Sequence, residues 1–458
     1  MNQTTDAVRV DVEELLDNLP LRGLPLWVAI AMAMVLIADG FDIILLGYVA
    51  PAVAAEFNLA SGGVGAVLTA SLIGVAIGGF AGGYLGDRFG RRTLIIFSLL
   101  LFGLATLLSA LAEGIAVFAA ARFVAGLGLG AATPNSAALM AEMLPRKWRN
   151  QIITIAYALS TIGTTFAGIL ARQMLPTWGW RGLFIVGAVL PIAVCILCIP
   201  PIPESPKYLA RKPDAGPRTA SALNRLLGRN VFSGSERFDG GGTNQRTSIA
   251  NLFTAEFRHD TSCLWASVFL TLFAWVALGN WGTIVITSLG YSLTDAVTIM
   301  VGYNLAGLAG AVGTALVLGH FGSRRLFAFF ALVTAAASLA IALPLYLETA
   351  PLAAITGYLL IAGAGLTALL QTSYPLVASV YPTDFRATGI GSAFGFGRLG
   401  AVSSSAVTAT LIGVGGAPLF FLGVAAASSG ISVATLMLRR HILPAARTRP
   451  NDDASAAA

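Results

Sequence analysis

The chain has 458 residues, 56% of them hydrophobic and 11% charged, against about 25% charged residues in ordinary soluble domains. Composition of this kind excludes a water-soluble globular fold and predicts a membrane protein. The formal net charge of +6 reflects membrane topology, because Lys and Arg collect on the cytoplasmic flanks of membrane spans, and it calls for no nucleic-acid partner.

From the N-terminus, residues 1–25 are polar and acidic, without the basic start, apolar run and small-residue cleavage site of a secretory signal. The first apolar run is therefore expected to act as its own insertion signal. Runs of about 20 apolar residues, long enough to cross a hydrocarbon core at 1.5 Å per residue, follow near 26–50, 62–86, 93–112, 114–142, 152–172, 181–202, 261–288, 294–318, 325–346, 351–380, 387–412 and 417–438. The expected fold is an all-α membrane protein with twelve transmembrane helices. All Lys and Arg residues except Arg122, Arg172, Arg181 and Arg398 fall in segments that a cytoplasmic N-terminus puts inside, so both termini are expected to be cytoplasmic. Cys195, Cys198 and Cys263 are too few for a disulfide framework. The CxxC of Cys195 and Cys198 lies inside an apolar helix and reads as packing.

The longest hydrophilic interval, 203–260, contains the flexible composition GSERFDGGGTNQ. It divides the chain into a cytoplasmic segment (1–25), a six-helix bundle (26–202), a cytoplasmic linker (203–260), a second six-helix bundle (261–438) and a cytoplasmic tail (439–458). The halves read as an internal repeat. DRFGRRTL (Asp87 to Leu94) after the second span matches GHFGSRRL (Gly319 to Leu326) after the eighth, and AEMLPRKWR (Ala141 to Arg149) matches SVYPTDFR (Ser379 to Arg386). Gly74, Gly78, Gly82 and Gly86 recur every four residues, as do Gly302, Ala306, Gly310 and Thr314. Ladders of small residues let helix backbones approach closely, and spacing alone leaves open whether these pack statically or slide.

The segment GGYLGDRFGRR (Gly82 to Arg92), its degenerate second copy and PESPKYL (Pro203 to Leu209) resemble the major facilitator superfamily over nearly the whole chain. DGFDIILLGYVAP (Asp39 to Pro51), RFVAGLGLGAATPN (Arg122 to Asn135) and YPTDFRATGIGSAFGFGRLGA (Tyr381 to Ala401) resemble, within it, the aromatic acid:proton symporter family. The second loop copy departs from the first, with Gly319 and His320 in place of Asp87 and Arg88. The resemblance implies the major facilitator fold, a small aromatic carboxylate as substrate, and a cytoplasmic gate built from Asp87, Arg88, Arg91, Arg92, Glu142, Arg149 and Arg386. A solvated loop that merely sets topology is the competing reading of that charge cluster.

Charges inside the spans are functional candidates, since an ionised side chain at mid-bilayer costs several kcal/mol. Asp39 and Asp42 are three residues apart, hence on one helix face about 4.5 Å apart along the axis. Arg122 lies at a matching depth in the fourth span. It is expected to face the aspartates and hold one ionised while the other exchanges a proton; which of the two titrates stays open. His259, His320 and His441 all fall at the flanks of the spans, and arginine does not deprotonate, so elimination favours Asp39 and Asp42 for proton coupling. Arg398 has no acid in its own half and is the candidate clamp for a substrate carboxylate; a bond to backbone carbonyls or to Gln371 is the alternative. Asn135 and Gln371 are candidate polar donors to substrate, and Phe41, Trp281, Tyr303 and Phe394 are candidate ring contacts.

The resulting expectation is a monomeric secondary transporter of the bacterial inner membrane. It would import a hydroxybenzoate- or benzoate-like acid by proton symport and alternating access, with no cofactor or metal. Another organic anion, or a sugar, is the runner-up. A membrane enzyme lacks any metal cluster or nucleophile–base motif in this sequence, and a sensor lacks room for an output domain.

Overall fold

The computed structural model describes residues 9–212, 215–240, 249–347, 351–382 and 386–442. It is almost entirely helical, as a chain in hydrocarbon must be when each backbone N–H and C=O has to be satisfied without water. In chain order the elements are β1 (Arg9–Asp11), α1 (Val12–Asp17), α2 (Leu24–Glu56), α3 (Ser61–Phe89), α4 (Arg91–Ala110), α5 (Ile115–Met143), α6 (Arg146–Cys198), α7 (Pro206–Ala210), α8 (Gly216–Leu227) and β2 (Arg237–Asp239). A 3-10 turn (Ile249–Phe253) then leads into α9 (Arg258–Ser288), α10 (Leu293–Phe321), α11 (Ser323–Tyr346), α12 (Leu352–Val380) and α13 (Arg386–Met437).

Among the described residues, ten helices are long and apolar enough to cross a membrane. The predicted fifth and sixth spans lie in the 53-residue α6, and the eleventh and twelfth in the 52-residue α13. Each contains a break. Gly179 (φ 63°) interrupts α6, and Gly415 and Gly416 (φ 63° at the latter) interrupt α13, left-handed backbone that glycine adopts without steric cost.

Contacts group the chain into two compact units. The first holds Met1–Ile43, Ala70–Ala167 and Trp178–Gln245, and the second Ile44–Thr69, Gly168–Thr177 and Arg246–Ala458. Within the first, the glycine ladder of α3 lies directly on α5. A Cβ on Gly74 would sit 2.2 Å from the Phe123 carbonyl oxygen and one on Gly78 2.2 Å from that of Leu127, while Gly126 and Gly130 present the reciprocal contacts to Ser71 and Val75. The second unit repeats the device, with Gly310 of α10 against the Ala364 carbonyl and Gly363 of α12 against that of Tyr303. The ladders are static packing between helices of one unit, which resolves the alternative that spacing left open. Gly40 against Ser160 and Gly163 against Ile37 bring α2 onto α6 in the same way.

The interval 203–260, expected to be a flexible linker, carries α7, α8, β2 and the 3-10 turn. The reason is burial: Thr219, Ala220, Ala222, Leu223 and Leu226 share the inner face of α8. Leu223 and Leu226 join Ile199, Ile202, Met143 and Leu144 in one apolar cluster with Val12 and Leu16 of the N-terminal segment. Strand β1 pairs in parallel with β2, Val10 opposite Phe238, and Lys207 Nζ reaches Glu13 Oε1 at 2.8 Å.

In the second unit, segment 44–69 packs on the C-terminal helices. A Cβ on Gly47 would lie 2.7 Å from Asn280 Cα, and one on Gly65 2.6 Å from Ala409 Cβ. Asn304 Nδ2 donates to the Tyr48 hydroxyl at 2.8 Å.

Candidate functional site

The centre of the first unit holds an ion pair with almost no solvent contact. Gly40 lets α2 close on α6, and two residues further on Asp42 faces α5. Arg122 Nη1 donates to Asp42 Oδ1 at 3.0 Å and Nη2 to Oδ2 at 2.6 Å, the two-pronged geometry that arginine forms with a carboxylate. Arg122 is 1% exposed and Asp42 2%, and the guanidinium lies 5.3 Å from the Phe184 ring centroid on α6. Asp39 sits one turn earlier on α2, half-buried, and accepts a hydrogen bond from Thr133 Oγ1 of α5 at 3.2 Å. Where the sequence reading has Arg122 facing both aspartates, its fork is committed to Asp42. Thr133 and Phe184 escaped that reading, since neither carries a charge to mark it in an apolar run.

At the α3–α4 turn, Arg91 gathers three partners: an ion pair to Asp87, a bond from Nε to Glu142 Oε1 at 3.4 Å and one from Nη1 to Asn135 Oδ1 at 3.3 Å. Asn135 is fully buried, and its amide also donates to the carbonyls of Gly82 (2.9 Å) and Ala131 (2.8 Å). Expected as a substrate donor, Asn135 instead belongs to this charge cluster, its hydrogen-bonding capacity spent on α3, α4 and its own helix. Arg149 pairs with Asp17 of the N-terminal segment and donates to the Leu144 carbonyl, at 3.0 Å from Nη2. Arg88 enters through its backbone, its carbonyl accepting from the Tyr208 hydroxyl at 2.8 Å. Arg92 likewise uses its backbone N–H, which donates to Glu204 Oε1 at 3.0 Å. Glu204 was not singled out in the sequence. Its carboxylate also takes the Thr93 N–H at 3.3 Å, so it caps the first turn of α4, where carboxylates are favoured by orphan donors and the helix dipole. Gly90 (φ 102°) makes the turn that admits it. The side chain of Arg386 lies outside the described residues.

The aromatic and polar candidates divide between the units. Phe41 is buried in the first, against Phe166 at 6.2 Å between ring centroids. The second holds Gln371, Trp281, Tyr303, Phe394 and Arg398. Phe394 stacks on Tyr374, centroids 3.8 Å apart at 12°. Trp281 and Tyr303 are fully buried on α9 and α10. Arg398 is half-buried one turn beyond Phe394 on α13, and among the described residues it has no ion pair and no bond to Gln371. Trp275 of α9 donates to Thr367 Oγ1 at 3.3 Å.

Outside the spans, residues 439–442 pack on the second unit. Arg439 N–H donates to Asp260 Oδ1 at 2.8 Å, Arg440 pairs with Glu256 at 2.6 Å, and the Ile442 N–H donates to Ser323 Oγ at 3.0 Å. Burial pushes the His441 imidazole below the ordinary histidine pKa, with Arg324 adding to that shift while the Leu438 carbonyl and Asp260 oppose it. Among the described residues no group of three or more His, Cys, Asp or Glu side chains is placed to hold a metal ion.

Comparison with known proteins adds an independent line. Residues 32–405 match the family model of the Major Facilitator Superfamily. The chain is 29% identical to a gallate transporter of Pseudomonas putida over 432 residues, covering 93% of this chain and 94% of that protein. It is 28% identical to the 4-hydroxybenzoate transporter PcaK of Pseudomonas putida over 422 residues, covering 91% and 93%. The crystal structure of a D-xylose-proton symporter superposes with a TM-score of 0.73 at 18% identity, covering 93% of this chain and all of that one, a likeness of fold.

Proposed function

The chain belongs to the Major Facilitator Superfamily, and on that premise we propose that this multi-pass membrane protein imports an aromatic carboxylate of the hydroxybenzoate type by proton symport. The observation that carries the coupling is the division of labour between two acids on one helix. Asp42 is held by Arg122 in a dry ion pair, while Asp39, half-buried beside a neutral hydroxyl, is the acid that loads and releases the proton. The substrate class rests on similarity to transporters named for gallate and 4-hydroxybenzoate. Arg398, cationic and without an ion partner among the described residues, supplies the charge that a substrate carboxylate needs, one turn from the Phe394 ring on α13.

The breaks at Gly179 and at Gly415–Gly416 support twelve spans, because a 53-residue helix runs about 80 Å, over twice a hydrocarbon core of about 30 Å. Both termini lie in the cytoplasm of a bacterial inner-membrane monomer in this reading, and protons are the only coupling agent. The cluster of Asp87, Arg91, Glu142 and Asn135 is the inner gate, opened and closed as the transporter alternates access. Uptake of labelled 4-hydroxybenzoate into proteoliposomes, with and without an inward proton gradient, tests the proposal. Gradient-driven accumulation in the wild type that is lost in Asp39→Asn, with exchange of preloaded substrate retained, is the expected result. Absence of any aromatic-acid uptake returns the substrate to another organic anion or a sugar; unchanged gradient-driven uptake in Asp39→Asn removes that acid from the coupling.

A further inference from the structure

The N-terminal segment, polar and acidic in sequence, is folded onto the ends of helices of the first unit. Asp11 accepts from the Glu13 and Glu14 N–H groups at 2.8 and 3.1 Å and so starts α1, the service that a capping aspartate gives to orphan donors. Val12 and Leu16, four residues apart and hence on one helix face, are both fully buried, in the apolar cluster that holds Met143 and Leu144 where α5 ends. Across the same turn, Asp17 pairs with Arg149 in the first turn of α6. The rest of the segment is anchored as well. Glu13 meets Lys207 of α7 at 2.8 Å, and β1 is fixed to β2 by parallel pairing and by the ion pair of Arg9 with Asp239. A segment that merely precedes the first span needs no such contacts.

What the segment grips is the turn that follows Glu142. Arg149 donates from Nε and Nη2 to the Leu144 carbonyl at 3.2 and 3.0 Å, which ties the start of α6 back to the end of α5. The carbonyl is neutral. Asp17 supplies the counter-charge that holds the Arg149 guanidinium, 18% exposed, in that position. Two residues before Leu144, Glu142 Oε1 takes its bond from Arg91 Nε at 3.4 Å, longer than the usual N–H···O separation of about 2.9 Å. A small displacement of the α5 end is enough to break it. The other member of that contact is reached too, because Arg91 opens α4, whose first turn is held by Glu204, and Lys207 stands three residues beyond Glu204. We infer that residues 9–17 form a strap that sets the Arg91–Glu142 contact of the inner gate, with Asp17 as a positioning residue that acts through Arg149. The inference rests on the reading of that charge cluster as a gate.

The test reads the gate without any substrate. Gly83 lies one turn before Asp87 on the same face of α3, with open space where a Cβ would stand, so Gly83→Cys places a reporter beside the cluster. The full chain, with Cys195, Cys198 and Cys263 replaced by alanine, is treated in detergent micelles with a charged maleimide. Asp17→Asn is expected to speed labelling of the reporter about three- to tenfold, the worth of one charged hydrogen bond at a half-buried site, and Asp17→Glu to restore the parent's rate. Glu13→Gln, which frees the other anchor, should speed it as well. Gly319→Cys, at the matching position of the second half and equally open, should label at the parent's rate throughout, since a general loss of stability would speed both reporters. Arg91→Lys sets the scale by breaking the cluster itself. If Arg91→Lys speeds labelling at Gly83→Cys and Asp17→Asn does not, or if Asp17→Asn speeds both reporters alike, the strap is overturned and the gate stands. If Arg91→Lys leaves the rate unchanged, the cluster is no gate and the strap's role falls with it.

Discussion

Asp42→Asn tests the dry ion pair directly. The substitution keeps the side-chain shape but leaves the Arg122 guanidinium, 1% exposed, without a counter-charge, and replaces one acceptor of its fork by an amide N–H. Removing one partner of a buried pair costs about 3–5 kcal/mol. The remaining amide oxygen can keep one of the two bonds, and the Phe184 ring at 5.3 Å offers partial cation–π compensation of about 0.5–1 kcal/mol or more. The lower end of the range, about 3 kcal/mol, is therefore the expected loss, a factor of about 100 in the folding equilibrium. The double variant Asp42→Leu with Arg122→Met removes both charges and should recover most of that stability, because replacing a buried pair by apolar groups of similar volume is often neutral. Unfolding in detergent micelles, followed by tryptophan fluorescence and size exclusion for the parent, Asp42→Leu, Arg122→Met and the double, closes the thermodynamic cycle. Gradient-driven uptake should be absent from the stable double variant. If Asp42→Asn lies within about 0.5 kcal/mol of the parent, or the double variant is no better than the single, the pair is not the electrostatic unit described here.

Arg91→Lys should weaken the inner cluster by about 1–3 kcal/mol, since an ammonium cannot reach Asp87, Glu142 and Asn135 at once; faster modification of cysteines introduced beside the cluster would register the opening. Glu204→Ala removes the cap of α4 and should cost about 1 kcal/mol, read as a lowered unfolding midpoint, while Gly90→Ala should cost more, because its φ is 102° and its Cβ would lie 2.3 Å from Glu204 Oε2. Residues 439–442 should loosen on acidification. The His441 pKa is lowered in the fold, so its contribution is fully present above the ordinary value of about 6.5 and is lost as pH falls below it; tryptic cleavage after Arg440 should be faster at pH 5.5 than at pH 7.5, and His441→Gln should abolish that difference.

The helices and the charged centre were legible because hydrocarbon penalises what it cannot solvate. A run of twenty apolar residues has few alternatives to a helix, and an Asp or Arg inside one needs a partner, so matching the depths of Asp42 and Arg122 was enough to join them. The same logic misplaced Asn135: a buried amide needs partners, but the sequence does not say whether a substrate or Arg91 provides them. Glu204 was hidden because its work is done on backbone N–H groups more than a hundred residues away, to which side-chain identity gives no clue. The folded interval 203–260 was hidden too, its Gly- and Ser-rich end masking the four-residue apolar repeat of α8. Hydropathy separates the fifth span from the sixth and the eleventh from the twelfth, and the backbone breaks at Gly179 in α6 and at Gly415 and Gly416 in α13.

The glycine ladders of α3 on α5 and of α10 on α12 bear on how this protein can change over generations. At Gly74, Gly78, Gly310 and Gly363 what the missing Cβ would strike is a main-chain carbonyl, and a carbonyl is present whatever residue occupies the facing position. A larger side chain at Gly78 or Gly310 therefore cannot be rescued by trimming its neighbour, the ordinary route by which interiors drift. Such sites are mutational dead ends, and at them the four-residue rhythm of small residues has the least freedom to change.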